Sequence, residues 1–144
     1  MANLLEIKDL RIHYETEDGA VEALNGVDLQ IEKGMTVGLV GETGAGKTTL
    51  AKGIMRLTRT PPGRVVSGEI IYEGQDLLKL SEAQMRKIRG KHISMIFQDP
   101  MTSLNPVIEV GEQIAEAIRT HEKVSEKEAA ARAMEMLELV GINA

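Results

Sequence analysis

Residues 35–57, MTVGLVGETGAGKTTLAKGIMRL, decide the fold of this chain. The first six form a short, nearly continuous apolar run, which predicts a strand buried on both faces of a parallel sheet. Leu50, Ile54 and Leu57 then recur at helical spacing, so a helix with an apolar face to pack on that sheet should follow. Between them, residues 41–48 fit the pattern G-x-x-x-x-G-K-[ST], which requires this strand–loop–helix context. The stretch therefore predicts a phosphate-binding loop.

The residue types of this loop suit a chain of phosphates. Glycines let the backbone turn tightly with its N–H groups pointing inward, and a helix beginning near Thr48 adds partial positive charge. Lys47 can reach the β- and γ-phosphates, the Thr48 hydroxyl can ligate Mg²⁺, and Thr49 can bond near the α-phosphate. The alternative is a glycine-rich turn that precedes a helix by chance. The predicted contact set is Gly41, Glu42, Thr43, Gly44, Ala45, Gly46, Lys47, Thr48 and Thr49.

Before the loop, the sequence alternates between apolar and polar residues. Residues 5–7 alternate in one phase and residues 10–14 in the other, which predicts a strand with a bulge near residues 8–9. A turn-rich stretch follows at residues 15–19, and alternation resumes over 27–31. Residues 4–31 are therefore predicted to form an antiparallel hairpin.

After the predicted helix, further elements carry their own signals. Residues 68–74 are expected to form a short strand between turns. Ser81 with Gln84 resembles a capping box that opens a helix ending near Arg89. Residues 93–97 are a second short apolar run, expected as another buried strand.

The last third of the chain is predicted to be helical. Val110, Ile114 and Ile118 make one apolar stripe at helical spacing. A second helix is capped at Ser125 and ends at Gly141.

Composition describes a soluble globular chain. Apolar residues make up 42% and charged residues 27% of the 144 residues, the balance of a globular domain. No apolar run approaches the about 18 residues needed to cross a bilayer, and the opening MANLLEIKDL lacks the uninterrupted apolar core of a secretory signal. The absence of cysteine excludes disulfides and thiolate metal sites. We therefore expect a cytosolic location.

The net charge of −5 makes nucleic acid an unsuitable partner, because an acidic chain repels phosphate backbones. A short basic patch at residues 86–91 is interpreted as one solvated helix face and its exit. His13, His92 and His121 are far apart in sequence and lack a paired carboxylate motif, so no protein metal site is expected from them.

A second motif narrows the interpretation to a family. Residues 97–106, FQDPMTSLNP, resemble the Q-loop of ATP-binding-cassette ATPases, and MTSLNP is similar to the form in oligopeptide, dipeptide and nickel importer ATPases. The stretches VGETG at 40–44 and VGEQI at 110–114 fit the same family. The resemblance covers the whole chain in the family's own order.

The resemblance implies an α/β fold with a RecA-like P-loop NTPase core, and it divides the chain into three parts. Residues 1–34 and about 64–75 would form an antiparallel β subdomain. Residues 35–60 and 91–107 would supply the core with its P-loop and Q-loop. Residues 108–144 would begin a helical subdomain.

The resemblance also implies roles for single residues. Gln98 would contact Mg²⁺ or the attacking water on the loop that senses a transmembrane partner, and its amide can both donate and accept. Tyr14 occupies the place of an aromatic residue that stacks on adenine, which a flat ring suits. The alternative is a tyrosine that anchors the hairpin to the core.

For the whole protein the resemblance implies ATP and Mg²⁺ as cofactors and ATP hydrolysis that powers import of peptides or a related solute. The implied partners are transmembrane permease subunits, a second ATP-binding subunit and, indirectly, an extracytoplasmic solute-binding protein. The implied location is the cytoplasmic face of the cell membrane.

The chain departs from the family pattern in what it lacks. A signature loop like LSGGQ, an apolar strand ending in Asp-Glu and a switch histidine are absent from the 144 residues. We therefore expect an incomplete nucleotide-binding domain that does not complete phosphoryl transfer alone. It would be either a truncated form or the front part of a larger gene product. Two alternatives stay open. One is a compact P-loop nucleotide kinase or NTPase using Asp99 to order the metal, although no N-K-x-D guanine motif is present. The other is a non-transport cassette ATPase.

Overall fold

The computed structural model describes residues 3–99 and 103–142. The chain forms two compact units, Met1–Met85 and Arg86–Ala144.

The first unit is built on one antiparallel sheet. Its strands are β1 (Asn3–Thr16), β2 (Gly19–Glu32), β3 (Gly63–Tyr72) and β4 (Gln75–Asp76). Their order is β2-β1-β3-β4, so β1 pairs with both long neighbours. The predicted hairpin is confirmed, and the strand predicted at 68–74 begins five residues earlier, at Gly63.

A bulge in β1 explains the change of phase in the sequence. The pairing register with β2 shifts between Ile7 and Leu10, and Asp9 takes a φ of 40°. The backbone N–H of Asp9, displaced from the ladder, donates to Oδ1 of Asp28 at 2.9 Å. Ile7 and Leu10 are 1% and 0% exposed, so the bulge keeps both halves of the strand facing the same core.

Helix α1 (Lys47–Ile54) packs on this antiparallel sheet. A Cβ on Gly53 would lie 2.7 Å from Cδ1 of Ile12, so the helix backbone packs directly on a side chain of β1. The helix also ends sooner than predicted. Its last residue is Ile54, so Leu57 lies outside the helix. The core beneath it is completed by a 3₁₀ helix, Leu77–Lys79, whose Leu77 is fully buried.

The two predicted buried strands are not formed. Residues 35–40 and 93–97 have no regular secondary structure, apart from one isolated parallel bridge between Arg89 and Ile93. Val40 and Ile96 are 91% and 95% exposed. A parallel strand is stabilised by hydrogen-bonded neighbours on its edges and helices on its faces. Within residues 3–99 and 103–142 the sheet pairs only β1 to β4, so these runs lack such neighbours. Helix α1 therefore packs on the antiparallel sheet and not, as predicted, on a parallel one.

The remaining helices follow the sequence closely. They are α2 (Glu82–Ile88), α3 (Val110–His121) and α4 (Glu126–Leu139). The predicted capping box is present at the N-terminus of α2. The Ser81 N–H donates to Oε1 of Gln84 at 2.8 Å, and the Gln84 N–H donates to Ser81 Oγ at 3.3 Å. Ser125 caps α4 by accepting from the Glu128 N–H at 3.2 Å.

In the second unit α3 packs against α4 through small residues. Ala115 of α3 meets Ala129 and Ala133 of α4, all at most 1% exposed. The larger neighbours Ile114 and Ile118 cover this contact. Among the helices described, none combines the length and the apolar character that a membrane span requires.

Candidate phosphate-binding site

The predicted phosphate-binding loop joins the irregular segment after β2 to helix α1. Gly44 and Gly46 have φ values of 87° and 86°, a region that side-chain-bearing residues rarely adopt. Gly46 is the N-cap of α1, and its carbonyl accepts from the Leu50 N–H at 2.8 Å. The loop therefore ends at a helix N-terminus, where backbone N–H groups lack partners within the helix.

Gly46 also fixes the loop to the sheet, which the sequence analysis did not predict. A Cβ on this residue would lie 2.7 Å from the Ala23 carbonyl oxygen and 2.8 Å from Cδ2 of Leu24. The loop thus rests directly on the backbone of β2. The glycine preceding the lysine was the only signal available in the sequence, and it did not identify the neighbour.

Lys47 is held over the loop by the loop's own carbonyls. Its Nζ donates to the Gly41 oxygen at 2.7 Å and to the Glu42 oxygen at 2.6 Å. An ammonium group has three donors, so one is left for a phosphate oxygen. The ammonium is therefore oriented before any ligand arrives, which reduces the ordering cost of binding.

A small apolar cavity of about 110 Å³ adjoins the loop. Its lining includes Leu24, Leu39, Ala45 and Leu50. Pockets that enclose a drug-sized ligand measure about 300–1,000 Å³, so this cavity cannot enclose a nucleotide. Phosphates would instead meet the open surface of residues 41–49.

Thr48 supplies the hydroxyl proposed to ligate Mg²⁺, and its side chain is exposed at the start of α1. Among residues 3–99 and 103–142, no group of three or more His, Asp or Glu side chains is arranged to hold a metal. A Mg²⁺ ion at Thr48 would also take phosphate oxygens and water as ligands, as this ion commonly does.

Tyr14 lies half-buried in β1, opposite Val21 of β2. Its ring stands over Gly63 of β3, where an added Cβ would lie 2.8 Å from Cε1 of the tyrosine. This contact is the one expected of a hairpin anchor. Stacking of the exposed part of the ring on adenine stays a prediction.

Gln98 and Asp99 lie in the second unit, in an exposed segment without regular secondary structure. Pro100, Met101 and Thr102, which belong to the predicted Q-loop, lie outside the described residues. The role of Gln98 at Mg²⁺ or the attacking water stays a prediction, as does the division of the chain into subdomains.

Comparison with known proteins agrees with the motif. The ABC transporter family model matches residues 24–144. The chain is 52% identical over 142 residues to the oligopeptide transport ATP-binding protein OppD of Bacillus subtilis, covering 99% of this chain and 40% of OppD. It is 50% identical to the probable peptide ABC transporter ATP-binding protein y4tR of Sinorhizobium fredii, covering 96% and 42% of the two chains. The dipeptide transport ATP-binding protein DppD of Bacillus subtilis is 44% identical, with 99% and 42% covered.

A solved structure shares the fold. The dimeric ATP-binding cassette MJ0796, in a post-hydrolysis state bound to ADP and Pi, superposes with a TM-score of 0.74 at 24% identity. The match covers 94% of this chain and 56% of the cassette. The chain spans about 40% of the length of the curated relatives that it matches. Because the family match extends over most of its residues, the chain belongs to the ABC transporter family and has the fold of an ATP-binding cassette.

Proposed function

We propose that residues 41–49 bind the phosphates of Mg·ATP, and that the whole protein hydrolyses ATP to power peptide import. The observation that carries the proposal is the Lys47 ammonium, held by two loop carbonyls with one donor left over. The relatives' names, oligopeptide and dipeptide transport ATP-binding proteins, support the peptide substrate.

Each site residue has a separate task in this proposal. The backbone N–H groups of the loop and the first turn of α1 would surround the phosphates, and Lys47 would neutralise the β- and γ-phosphates. Thr48 would hold Mg²⁺, which supplies charge neutralisation at the phosphates when bound. Tyr14 would stack on adenine, and Gln98 would orient the attacking water or touch the metal.

The proposed partners follow from family membership. We infer transmembrane permease subunits, a second ATP-binding subunit that closes the nucleotide site, and an extracytoplasmic solute-binding protein acting through the permease. The dimeric state of the cassette neighbour supports the second ATP-binding subunit. The protein would lie at the cytoplasmic face of the cell membrane.

Replacing Lys47 by alanine tests the site. Loss of its charge-assisted hydrogen bonds should weaken Mg·ATP binding by about 2–4 kcal/mol, roughly 30- to 1,000-fold in Kd. Isothermal titration calorimetry measures this directly. Lys52→Ala is the matched control, because Lys52 lies in the last turn of the same helix, away from the loop. An unchanged Kd in Lys47→Ala, or an equal loss in the control, would mean that the loop is not the site.

A further inference from the structure

A second charged site lies in the unit that does not contain the phosphate-binding loop. A cleft of about 400 Å³ opens between the end of α2, the turn after it and the end of α3. Its positively chargeable lining consists of Lys87, Lys91, His92, Arg119, His121 and Lys123. A volume of this size lies within the range of small-molecule sites.

Charge is segregated into this cleft. Four of the eight Lys and Arg residues of 86–144 line it, but only one of the nine Asp and Glu residues does, namely Glu122. This concentration stands out in a chain whose net charge is −5. A solvated helix face, the interpretation given to residues 86–91 from sequence, does not require charges from α2 and α3 to meet.

The single acid in the lining is already neutralised. Both oxygens of Glu122 accept from Arg132, at 2.6 and 3.3 Å. The hydrogen bond from Arg132 and the charge of Arg132 lower the pKa of Glu122, and the charges of Lys91 and His121 act in the same direction. Lys87, Lys91 and Lys123 form no ion pair with any residue in the described ranges. None of these three ammonium groups therefore lies within ion-pair distance of a described carboxylate, although the charge of Lys91 acts on Glu122 from farther away.

The walls of the cleft are fixed in place. Gly90 has a φ of 85°, and a Cβ there would lie 3.0 Å from Nε2 of His121, so the histidine at the end of α3 packs against the turn after α2. The turn is closed by hydrogen bonds from the Gly90 N–H to the Ile93 carbonyl at 2.8 Å and from the His92 N–H to the Ile88 carbonyl at 2.9 Å. Fixed walls reduce the ordering cost of binding a ligand.

We propose that this cleft binds a doubly or multiply charged phosphate group, of the size of a diphosphate. The cleft faces the carbonyl ends of α2 and α3, whose dipoles place partial negative charge there. Arg119 is already paired with Glu112 at 2.5 Å, so an anion would be held by the lysine side chains and not by helix dipoles. Binding should consequently weaken with added salt and depend on the lysines.

The three histidines allow the test to be made at the site itself. With ¹³C-labelled imidazole carbons, titration with inorganic pyrophosphate should shift the His92 and His121 resonances together and to saturation. His13, in β1 of the other unit, should not shift. Lys91→Gln with Lys123→Gln should weaken this binding about tenfold, because exposed charge-assisted contacts are modest individually. Lys127→Gln, on α4 outside the cleft lining, should change it less than about twofold.

Two further arms distinguish this cleft from the phosphate-binding loop and identify the source of the phosphate group. In Lys47→Ala the histidine shifts should persist. A failure of the proposed nucleotide site can therefore be distinguished from a failure of the cleft to bind phosphate.

Vesicles containing phosphatidic acid, compared with vesicles of phosphatidylcholine alone, test a lipid source of the phosphate group. Pyrophosphate shifts without vesicle binding assign a soluble ligand, and lysine-dependent vesicle binding assigns a headgroup. Absence of saturable shifts and vesicle binding, equal shifts of all three histidines, or equal loss in Lys127→Gln would overturn the proposal.

Discussion

At the scale of single residues, two glycines of one loop are required for different reasons. Gly44 and Gly46 have nearly the same φ, 87° and 86°, but a Cβ on Gly44 meets nothing within 4 Å, whereas one on Gly46 meets the Ala23 carbonyl oxygen at 2.7 Å. Gly44→Ala should cost about 1–2 kcal/mol from backbone strain alone. Gly46→Ala adds a steric overlap with β2 and should cost about 3 kcal/mol or more. Urea denaturation of the two variants measures the difference, and equal losses would contradict the contact with β2.

Two substitutions at Tyr14 distinguish a role in binding adenine from a role in anchoring the hairpin. If the ring stacks on adenine, Tyr14→Ala should weaken ATP binding by about 1–3 kcal/mol, and Tyr14→Phe should change it little because the ring is kept. If the ring only covers Gly63, both variants should bind ATP normally and Tyr14→Ala should melt at a lower temperature. Calorimetry with ATP and a thermal melt of each variant distinguish the two.

At the scale of elements, the sequence predicted whatever depends on local signals. The capping residues Ser81 and Ser125 marked the starts of α2 and α4, and the phase change around Asp9 marked the bulge in β1. Residues 35–40 and 93–97 could not be predicted in the same way. Whether an apolar run becomes a strand depends on which strands lie beside it, and that information is not in the run itself. The basic cleft could not be predicted from the sequence either, because its lysines come from separate elements.

The side chain of Gln113 makes three hydrogen bonds to the loop before α3. Oε1 of Gln113 accepts from the Asn105 N–H at 2.9 Å, and its Nε2 donates to the carbonyls of Asn105 and Ile108 at 3.0 and 2.8 Å. Gln113→Ala should therefore free the Asn105 amide and speed its hydrogen exchange by about five- to tenfold, the effect of one hydrogen bond. Gln113→Glu should also loosen the loop, since a carboxylate cannot donate to two carbonyls.

Amide exchange followed by NMR is the measurement for this loop. Glu116→Gln, one turn farther along α3 and exposed, is the control that should leave Asn105 unchanged. Equal exchange of Asn105 in wild type and Gln113→Ala would show that the side chain does not fix the loop.

At the scale of the whole molecule, we predict nucleotide binding without turnover. Phosphoryl transfer requires an acid that orders the metal and a group that positions water, in addition to the phosphate contacts. The 144 residues contain no signature loop like LSGGQ and no apolar strand ending in Asp-Glu. We therefore expect this chain by itself to release no phosphate from Mg·ATP. Phosphate release that Asp99→Asn abolishes would contradict this and favour a small P-loop enzyme, in which Asp99 orders the metal.

The exposed apolar runs should make the chain self-associate. Val40 and Ile96 are 91% and 95% exposed in segments that form no described ladder, so each offers apolar side chains together with a backbone able to pair with another chain. Such segments are templates for intermolecular strand pairing. Sedimentation velocity over a range of concentrations should show association, and Val40→Asp with Ile96→Asp should reduce it. Leu139→Asp is the matched control: Leu139 is 87% exposed but ends a helix whose backbone is bonded internally, so its loss should matter less. A monomer at every concentration, or an equal effect of Leu139→Asp, would show that these two runs do not drive association.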